Sequence, residues 1–173
     1  MSINDLARTL PDYAKDLKLN VSSLLGEQGL TAQQKYGLFV ACAHATGYGP
    51  LITATETEAA EHLSEAAMNA AKAAAAIMAM NNVYYRFVHL ASHQEYATLP
   101  ARLRMNVIGT PGIEKVDFEL FSIAVSAING CGMCIDAHDK VLRDHGVSTQ
   151  TIQTAVRIGA VVNAVAKTLQ ANS

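Results

Sequence analysis

The sequence predicts an all-α fold, organised as a single helical domain over residues 1–173. Alanine supplies 29 of the 173 residues, tryptophan is absent, and aromatic residues make up only 6% of the chain. Small side chains at that density favour closely packed helices, whereas sheets prefer β-branched and aromatic residues. Apolar residues also recur at spacings of three and four in several segments, which is the pattern of an amphipathic helix.

The first half of the chain predicts three helical regions. Residues 3–25 form one or two helices, because Pro11 should kink or divide the apolar stripe there. A second helix spans about residues 33–45 and ends at Gly47, and the Gly and Pro residues at 49 and 50 predict a loop after it. The third region, about residues 61–89, is the central helix of the domain. Its predicted buried positions are Ala66, Ala67, Ala70, Ala74, Ile77, Met78 and Met80.

The second half predicts three further helices after a connection at residues 96–112, which contains two prolines. These helices span about residues 117–128, 131–145 and 149–170. Asp117 should cap the first helix, Gly146 suits a left-handed end of the second, and Ser148 should cap the third. The candidate chemistry described below falls within residues 117–146.

A faint internal repeat relates the two halves. At one constant offset, Leu38, Phe39 and Ala45 match Leu120, Phe121 and Ala127. The same offset places Cys131 and Cys134 opposite Gly49 and Ile52, so a duplicated first half has no cysteine pair. Any redox chemistry is therefore expected in the second half.

Charge and hydropathy argue against several classes of partner. The chain has 13 Lys and Arg against 15 Asp and Glu, a net charge of -2, and this balance disfavours nucleic acid and anionic membranes. The longest uncharged stretch, residues 36–55, contains polar residues, glycines and a proline and makes a poor transmembrane helix. Because no positive region precedes an apolar run at the N-terminus, we expect a cytoplasmic protein.

The chemically informative segment is Asn-Gly-Cys-Gly-Met-Cys-Ile-Asp-Ala-His at residues 129–138. Cys131, Cys134 and His138 are spaced i, i+3 and i+7, so they share one face of one helix. An ordinary thiol of pKa about 8.5 is only about 3% thiolate at pH 7. The helix N-terminus stabilises a thiolate at Cys131, and His138 can exchange a proton with Cys134. In a reducing compartment this pattern indicates a redox pair or a metal site.

Glu119 joins this set through a geometric argument. If the helices on either side of Asn129-Gly130 form an antiparallel hairpin, Glu119 and His138 should face each other. The residues around Glu119 are almost all apolar, so a carboxylate there is a candidate for a functional role. The hypothesis is that Glu119 and His138 form a proton relay to the cysteines.

The spacing of Glu119, Cys131, Cys134 and His138 resembles that of the AhpD family of alkyl hydroperoxide reductase partner proteins. The resemblance extends over most of the chain and is carried by residues 11–16, 78–83, 105–106 and 126–131. It implies an all-helical, homotrimeric protein related in fold to carboxymuconolactone decarboxylases. It also implies an antioxidant thiol peroxidase that regenerates an AhpC-type peroxiredoxin with electrons from a lipoyl-bearing 2-oxoacid dehydrogenase component.

The resemblance implies a role for each site residue. Cys134 would attack a hydroperoxide and pass through a sulfenic acid, and Cys131 would be its disulfide partner and proton donor. Glu119 and His138 would form the relay. The resemblance further implies that the protein binds no metal or cofactor and that dihydrolipoamide or a protein-bound dihydrolipoyl group would donate electrons. Helix position alone instead favours Cys131 as the more acidic thiol, and Met133 stands where some relatives carry a histidine.

Two other functions fit parts of the pattern. One is a zinc-stabilised interaction module that adds Cys42 and His44 to the cysteine pair, although the chain lacks the second CxxC that such a module normally needs. The other is a non-redox, decarboxylase-like enzyme of the wider superfamily, which would depend on neither cysteine. Cys42 itself is predicted to be a small buried hydrophobe, Met78 and Met80 are predicted core fillers, and no spacing selects His44 for catalysis.

Overall fold

The computed structural model describes residues 1–172, and all regular structure in that range is helical. Two 3-10 turns, Asp12–Ala14 and Asn106–Ile108, accompany nine α-helices. The helices are α1 Ile3–Arg8, α2 Lys15–Leu25, α3 Ala32–Thr46, α4 Gly49–Ala59, α5 Glu65–Leu90, α6 Glu95–Thr98, α7 Lys115–Asn129, α8 Gly132–Asp144 and α9 Thr149–Gln170. The predicted all-α class is confirmed. Within the same residues, no helix has the combination of length and apolarity needed to cross a membrane.

The N-terminal helices follow the predicted pattern except for α4, a helix that was not predicted. Pro11 separates α1 from α2, as predicted, and Gly47 ends α3 in the left-handed conformation at φ 70°. The loop predicted around Gly49 and Pro50 is wrong, because α4 begins at Gly49. Pro50 lies in the first turn of α4, where a proline costs no hydrogen bond and its fixed φ suits the helix.

The long helix α5 begins later than predicted. Ser64 provides its N-cap, since the Ser64 hydroxyl accepts a hydrogen bond from the Ala67 backbone N–H. The expected start near residue 61 is therefore wrong by one turn, and Ala66 is exposed rather than buried. Ala67, Ala70, Ala74 and Met78 are buried as predicted, whereas Ile77 and Met80 are half-buried.

The second half confirms the predicted helices but corrects one cap. Ser148 caps α9, and Gly146 is left-handed at φ 76° after α8. Asp117 does not cap α7, which begins two residues earlier after Glu114. The buried Asp117 carboxylate instead accepts hydrogen bonds of 2.7 and 2.8 Å from the side-chain amides of Gln33 and Gln34. These bonds tie the start of α7 to α3.

The core is built around α3 and α7, whose middle turns are buried. Helices α5 and α9 pack against both of them. Gly37 permits the close approach of α3 to α7, since a Cβ atom there would lie 2.2 Å from Phe121 Cζ. In both halves a 15-residue helix ends at a left-handed glycine and is followed by a shorter helix and then a long one. The order of helices therefore agrees with the repeat that the sequence suggests.

Candidate functional site

The turn between α7 and α8 places the cysteine pair at the start of a helix. Gly130 ends α7 in the left-handed conformation at φ 69°, and Cys131 is the N-cap of α8. The predicted helix start at residue 131 is thus one position early. Cys131 Sγ accepts a hydrogen bond from the Cys134 backbone N–H at 3.3 Å, a contact that favours negative charge on that sulfur.

Cys131 and Cys134 are joined by a disulfide bond, with a Cα–Cα distance of 5.3 Å. This is the pairing that the family resemblance implies. Cys131 is fully buried, whereas Cys134 retains 6% exposure and lines a cavity between α5 and α8. Of the two linked cysteines, only Cys134 therefore forms part of the cavity wall.

Glu119 and His138 are in direct contact, as the hairpin argument predicts. Glu119 Oε2 lies 2.6 Å from His138 Nδ1, and the residues are only 2% and 8% exposed. An ionised carboxylate only accepts hydrogen bonds, so an imidazole that faces one donates from Nδ1. Nε2 lies 3.2 Å from Met78 Sδ. Lys115 Nζ, 3.6 Å from Glu119 Oε1, supplies a partly exposed positive charge beside the carboxylate.

The cavity next to the disulfide has a volume of about 280 Å³, and we call it the Cys134 cavity. It is lined by Met78, Asn81, Tyr85, Ile108, Met133, Cys134, Ala137 and His138. Most of these side chains are apolar and a few are polar, as in many small-molecule sites. Met78 is buried in the core, as predicted, and its side chain also forms a wall of the cavity and contacts His138.

A buried polar network fixes the α7–α8 turn to α5. Asn82 Nδ2 donates to Ser126 Oγ at 2.9 Å, and Asn129 Nδ2 donates to Asn82 Oδ1 at 3.0 Å. Arg86 donates to the Asn129 carbonyl, and the Cys131 N–H donates to the Ser126 carbonyl at 3.1 Å. The network thus holds the backbone that carries Cys131.

This network was not predicted from the sequence, although the sequence contains one signal for it. Asn81 and Asn82 are adjacent amides in the middle of the Ala-rich helix α5, and both are at least 95% buried. Asparagine is unfavourable in a helix interior, and buried amides need hydrogen-bond partners. Two of them side by side therefore indicate a tertiary contact, but they do not reveal which helix provides it.

The other candidate residues lie apart from the cavity. Cys42 is a free thiol that is fully buried in α3, and burial raises its pKa well above the ordinary value, so the predicted hydrophobic role is confirmed. His44 contacts Glu56 instead of the cysteines. Among residues 1–172, no group of three or more His, Cys, Asp and Glu side chains is arranged to hold a metal ion.

Comparisons with known proteins identify relatives over the full chain. The chain is 68% identical to an alkyl hydroperoxide reductase AhpD of Rhizorhabdus wittichii over 166 residues, which cover 96% of both proteins. It is 63% identical to the protein of the same name from Azorhizobium caulinodans, covering 99% of this chain and 94% of the relative. It is also 61% identical to the alkyl hydroperoxide reductase AhpD of Hyphomonas neptunium, covering 100% of this chain and 96% of the relative. Residues 94–173 also match the model of the carboxymuconolactone decarboxylase family.

Proposed function

The chain belongs to the alkyl hydroperoxide reductase AhpD family, and from that membership we propose that it is an antioxidant thiol peroxidase. Cys134 reacts with an organic hydroperoxide, Cys131 resolves the product as a disulfide, and a dihydrolipoyl group reduces that disulfide. The reduced pair also passes electrons to an AhpC-type peroxiredoxin.

One observation carries this proposal: of the two disulfide-linked sulfurs, only that of Cys134 belongs to a residue lining the Cys134 cavity. The N-terminus of α8 favours a thiolate at Cys131, but that side chain is fully buried. Reaction with a hydroperoxide requires contact between sulfur and oxygen, so access outweighs the electrostatic preference. This supports Cys134 as the peroxide-reactive thiol and Cys131 as the resolving thiol.

The oxidative half of the proposed cycle has two steps. The Cys134 thiolate attacks the terminal oxygen of the hydroperoxide, so an S–O bond forms, the O–O bond breaks, and the alkoxide takes the Cys131 thiol proton and leaves as an alcohol. The Cys131 thiolate then attacks the Cys134 sulfenic acid and forms the disulfide, and the leaving hydroxide becomes water by taking the proton that His138 received from the Cys134 thiol. The disulfide in the structure corresponds to the end of this half-cycle.

The Glu119–His138 contact supports a proton relay in the first step. His138 follows Cys134 by one helical turn, so the two side chains share a face of α8, and both line the cavity. In the proposed relay His138 Nε2 takes the Cys134 thiol proton. The Glu119 carboxylate, 2.6 Å from Nδ1, then balances the charge of the imidazolium.

The reductive half follows from the family resemblance. A dihydrolipoyl thiolate attacks the disulfide, forms a mixed disulfide, and leaves oxidised lipoyl and the reduced cysteine pair. The proposed donor is free dihydrolipoamide or a lipoyl group on a 2-oxoacid dehydrogenase component. The resemblance also leads us to propose a homotrimer in the cytoplasm, which light scattering of the purified protein and cell fractionation would test.

Cysteine mapping by mass spectrometry tests the proposed function most directly. Fully reduced protein, freed of metal, is exposed briefly to about one equivalent of cumene hydroperoxide and then alkylated. We expect a linked Cys131–Cys134 peptide, Cys42 still reduced, and reversal by dihydrolipoamide. Survival of all three thiols, or oxidation no faster than that of a small free thiol, would contradict the peroxidase.

The same preparation distinguishes the proposed peroxidase from the alternative of a non-redox, decarboxylase-like enzyme. Such an activity depends on neither cysteine, so a Cys131→Ser/Cys134→Ser double variant would retain it. The proposed peroxidase loses its turnover in that variant. A zinc-stabilised module would instead copurify with metal, which elemental analysis of the protein before metal removal detects.

A further inference from the structure

Asn81 carries a buried carboxamide oxygen without a partner in the protein. The residue is 5% exposed on α5 and lines the Cys134 cavity. Its Nδ2 lies 3.7 Å from Met105 Sδ, whereas Oδ1 makes no hydrogen bond among residues 1–172. Buried polar atoms are nearly always hydrogen-bonded, so this acceptor lacks the partner that its burial calls for, on a residue that lines the cavity.

Asn81 also lies next to the reacting sulfur. Its backbone oxygen is 3.9 Å from Cys134 Sγ, which places the residue beside the atom that meets the hydroperoxide. Ser122 Oγ is the other buried side-chain atom without a hydrogen bond in the described residues, but Ser122 does not line the cavity. Of these two unpartnered atoms, only Asn81 Oδ1 therefore belongs to a residue that lies beside the Cys134 sulfur and lines the cavity.

We propose that Asn81 orients the hydroperoxide, with Oδ1 accepting a hydrogen bond from its terminal O–H group. This inference rests on the proposed peroxidase function. A hydroperoxide has a single O–H proton, which lies on the terminal oxygen, so an acceptor at this point directs that oxygen toward Cys134 Sγ. The nearby Met78 sulfur is a weak acceptor, and in the proposed relay His138 Nε2 has already taken the Cys134 thiol proton, so it no longer accepts a hydrogen bond.

The hydrogen bond persists through the chemical step. When the Cys134–oxygen bond forms and the O–O bond breaks, the hydrogen stays on the transferred oxygen and becomes the hydrogen of the sulfenic acid. The alkoxide takes its proton from the Cys131 thiol. Asn81 Oδ1 thus contacts the same O–H group before and after the transfer, and it needs no proton exchange of its own.

The test compares two reagents that reach the same sulfur. Reduced protein reacts in a stopped-flow instrument with tert-butyl hydroperoxide, which has the O–H group, and with methyl methanethiosulfonate, which has none. Mass spectrometry assigns the second reaction to Cys134. The variants are Asn81→Leu, of similar size without an acceptor, and Asn81→Ala, which keeps the measurement possible if the first fails to fold. Ser122→Ala, which removes the other unpaired polar atom, is the matched control.

We expect both Asn81 variants to react about five- to tenfold more slowly with the hydroperoxide, the effect of one lost hydrogen bond. Their reaction with methyl methanethiosulfonate stays within about twofold of the parent, and Ser122→Ala changes neither rate. Equal losses with both reagents would overturn the proposal, since Asn81 would then act on the thiol itself. Unchanged hydroperoxide rates in the Asn81 variants would also overturn it. Tyr85 lines the same cavity, so a loss of rate in Tyr85→Phe and not in the Asn81 variants would assign the role to the Tyr85 hydroxyl instead.

Failure of the peroxidase itself is visible separately. In that case the unsubstituted protein reacts normally with methyl methanethiosulfonate at Cys134 but reduces the hydroperoxide no faster than a small free thiol. This result would remove both the proposed function and the role of Asn81. If the unsubstituted protein reacts quickly with the hydroperoxide and the Asn81 variants react equally quickly, only the role of Asn81 is removed.

Discussion

The α3–α4 and α7–α8 hairpins each hold a histidine against a glutamate, with very different surroundings. In the first hairpin His44 Nε2 lies 2.6 Å from Glu56 Oε1, and the side chains are 26% and 32% exposed. In the second hairpin His138 Nδ1 lies 2.6 Å from Glu119 Oε2, and the side chains of His138 and Glu119 are 10% and 3% exposed. At the repeat offset Glu56 falls opposite His138, so the two hairpins place the partners differently.

The neighbours of each pair account for the difference in proposed role. Glu56 also binds Lys72, with Nζ at 2.9 Å from Oε1, which makes the first pair part of a partly solvated ion cluster. The second pair adjoins the Cys134 cavity, whose lining includes the cysteine that is proposed to react with hydroperoxide. A short His–Glu contact is therefore a poor indicator of catalysis by itself, and burial beside a nucleophile is the informative combination.

Cysteine substitutions should give the largest effect and locate the chemistry in the second hairpin. Cys134→Ser is expected to lower hydroperoxide turnover by about a thousandfold or more, because it removes the nucleophile. Cys42→Ser in the first hairpin should leave turnover unchanged, because that buried thiol does not reach the cavity. The measurement is peroxide consumption with dihydrolipoamide as reductant. Comparable activity in Cys134→Ser and Cys131→Ser, with sulfenic acid trapped on Cys131, would reverse the assigned roles.

Matched amide substitutions test the two His–Glu pairs directly. Glu119→Gln should slow the reaction of Cys134 with hydroperoxide by about 100-fold, since the relay loses the charge that stabilises the imidazolium. Glu56→Gln should leave that rate within about twofold. Stopped-flow rates measured from pH 5 to pH 9 would check both variants, together with thermal unfolding. Equal effects of the two substitutions, or an unchanged pH profile in Glu119→Gln, would contradict the relay.

A glycine substitution tests the packing that separates the hairpins. Gly37 falls opposite Glu119 in the repeat, and a Cβ atom there would lie 2.2 Å from Phe121 Cζ. Gly37→Ala should lower the free energy of unfolding by about 1–3 kcal/mol, the usual cost of overpacking a core. Gly49→Ala is the control, since a Cβ at Gly49 meets nothing within 4 Å. Urea unfolding measures both variants, and equal stability would show that α3 and α7 can separate freely.

The smallest expected effect is the pH dependence of the first pair. Partial burial tends to raise the pKa of Glu56, but hydrogen bonds from Lys72 and His44 outweigh it and lower that pKa below its ordinary value of 4.5. A lowered pKa in the folded state contributes stability above the unfolded-state value and loses it as pH falls through the folded value. Because the pair is partly exposed, the contribution is about 0.5 kcal/mol or less.

Urea unfolding of the parent and of Glu56→Gln at several pH values measures this contribution. The parent should be slightly more stable at pH 7, and the difference should disappear as the pH falls below about 4.5 and through the lowered value. A difference that grows in acid would have the wrong sign. It would show that Glu56 is not stabilised as a carboxylate.

Local signals made most of the helices predictable. Pro11, Gly146 and Ser148 act through their own backbone conformation or their own side chain, and each does in the structure what its residue type predicts. The contact between Glu119 and His138 was also predictable, because a short turn fixes the register of the two helices that it joins. Errors arose where a residue has two local uses, as with Pro50, which can break a helix or begin one.

Residue spacing along the chain is enough to predict the helical class, the cysteine pair and the Glu119–His138 contact, because each depends on one helix or one short turn. Helix packing instead makes Asp117 bind α3 rather than cap α7, and it brings Met78, Asn81 and Asn82 of α5 to the site. These contacts join residues more than 40 positions apart. Which face of α5 meets α8, and which sulfur is left accessible, depends on how all the helices pack together, so no local pattern encodes it.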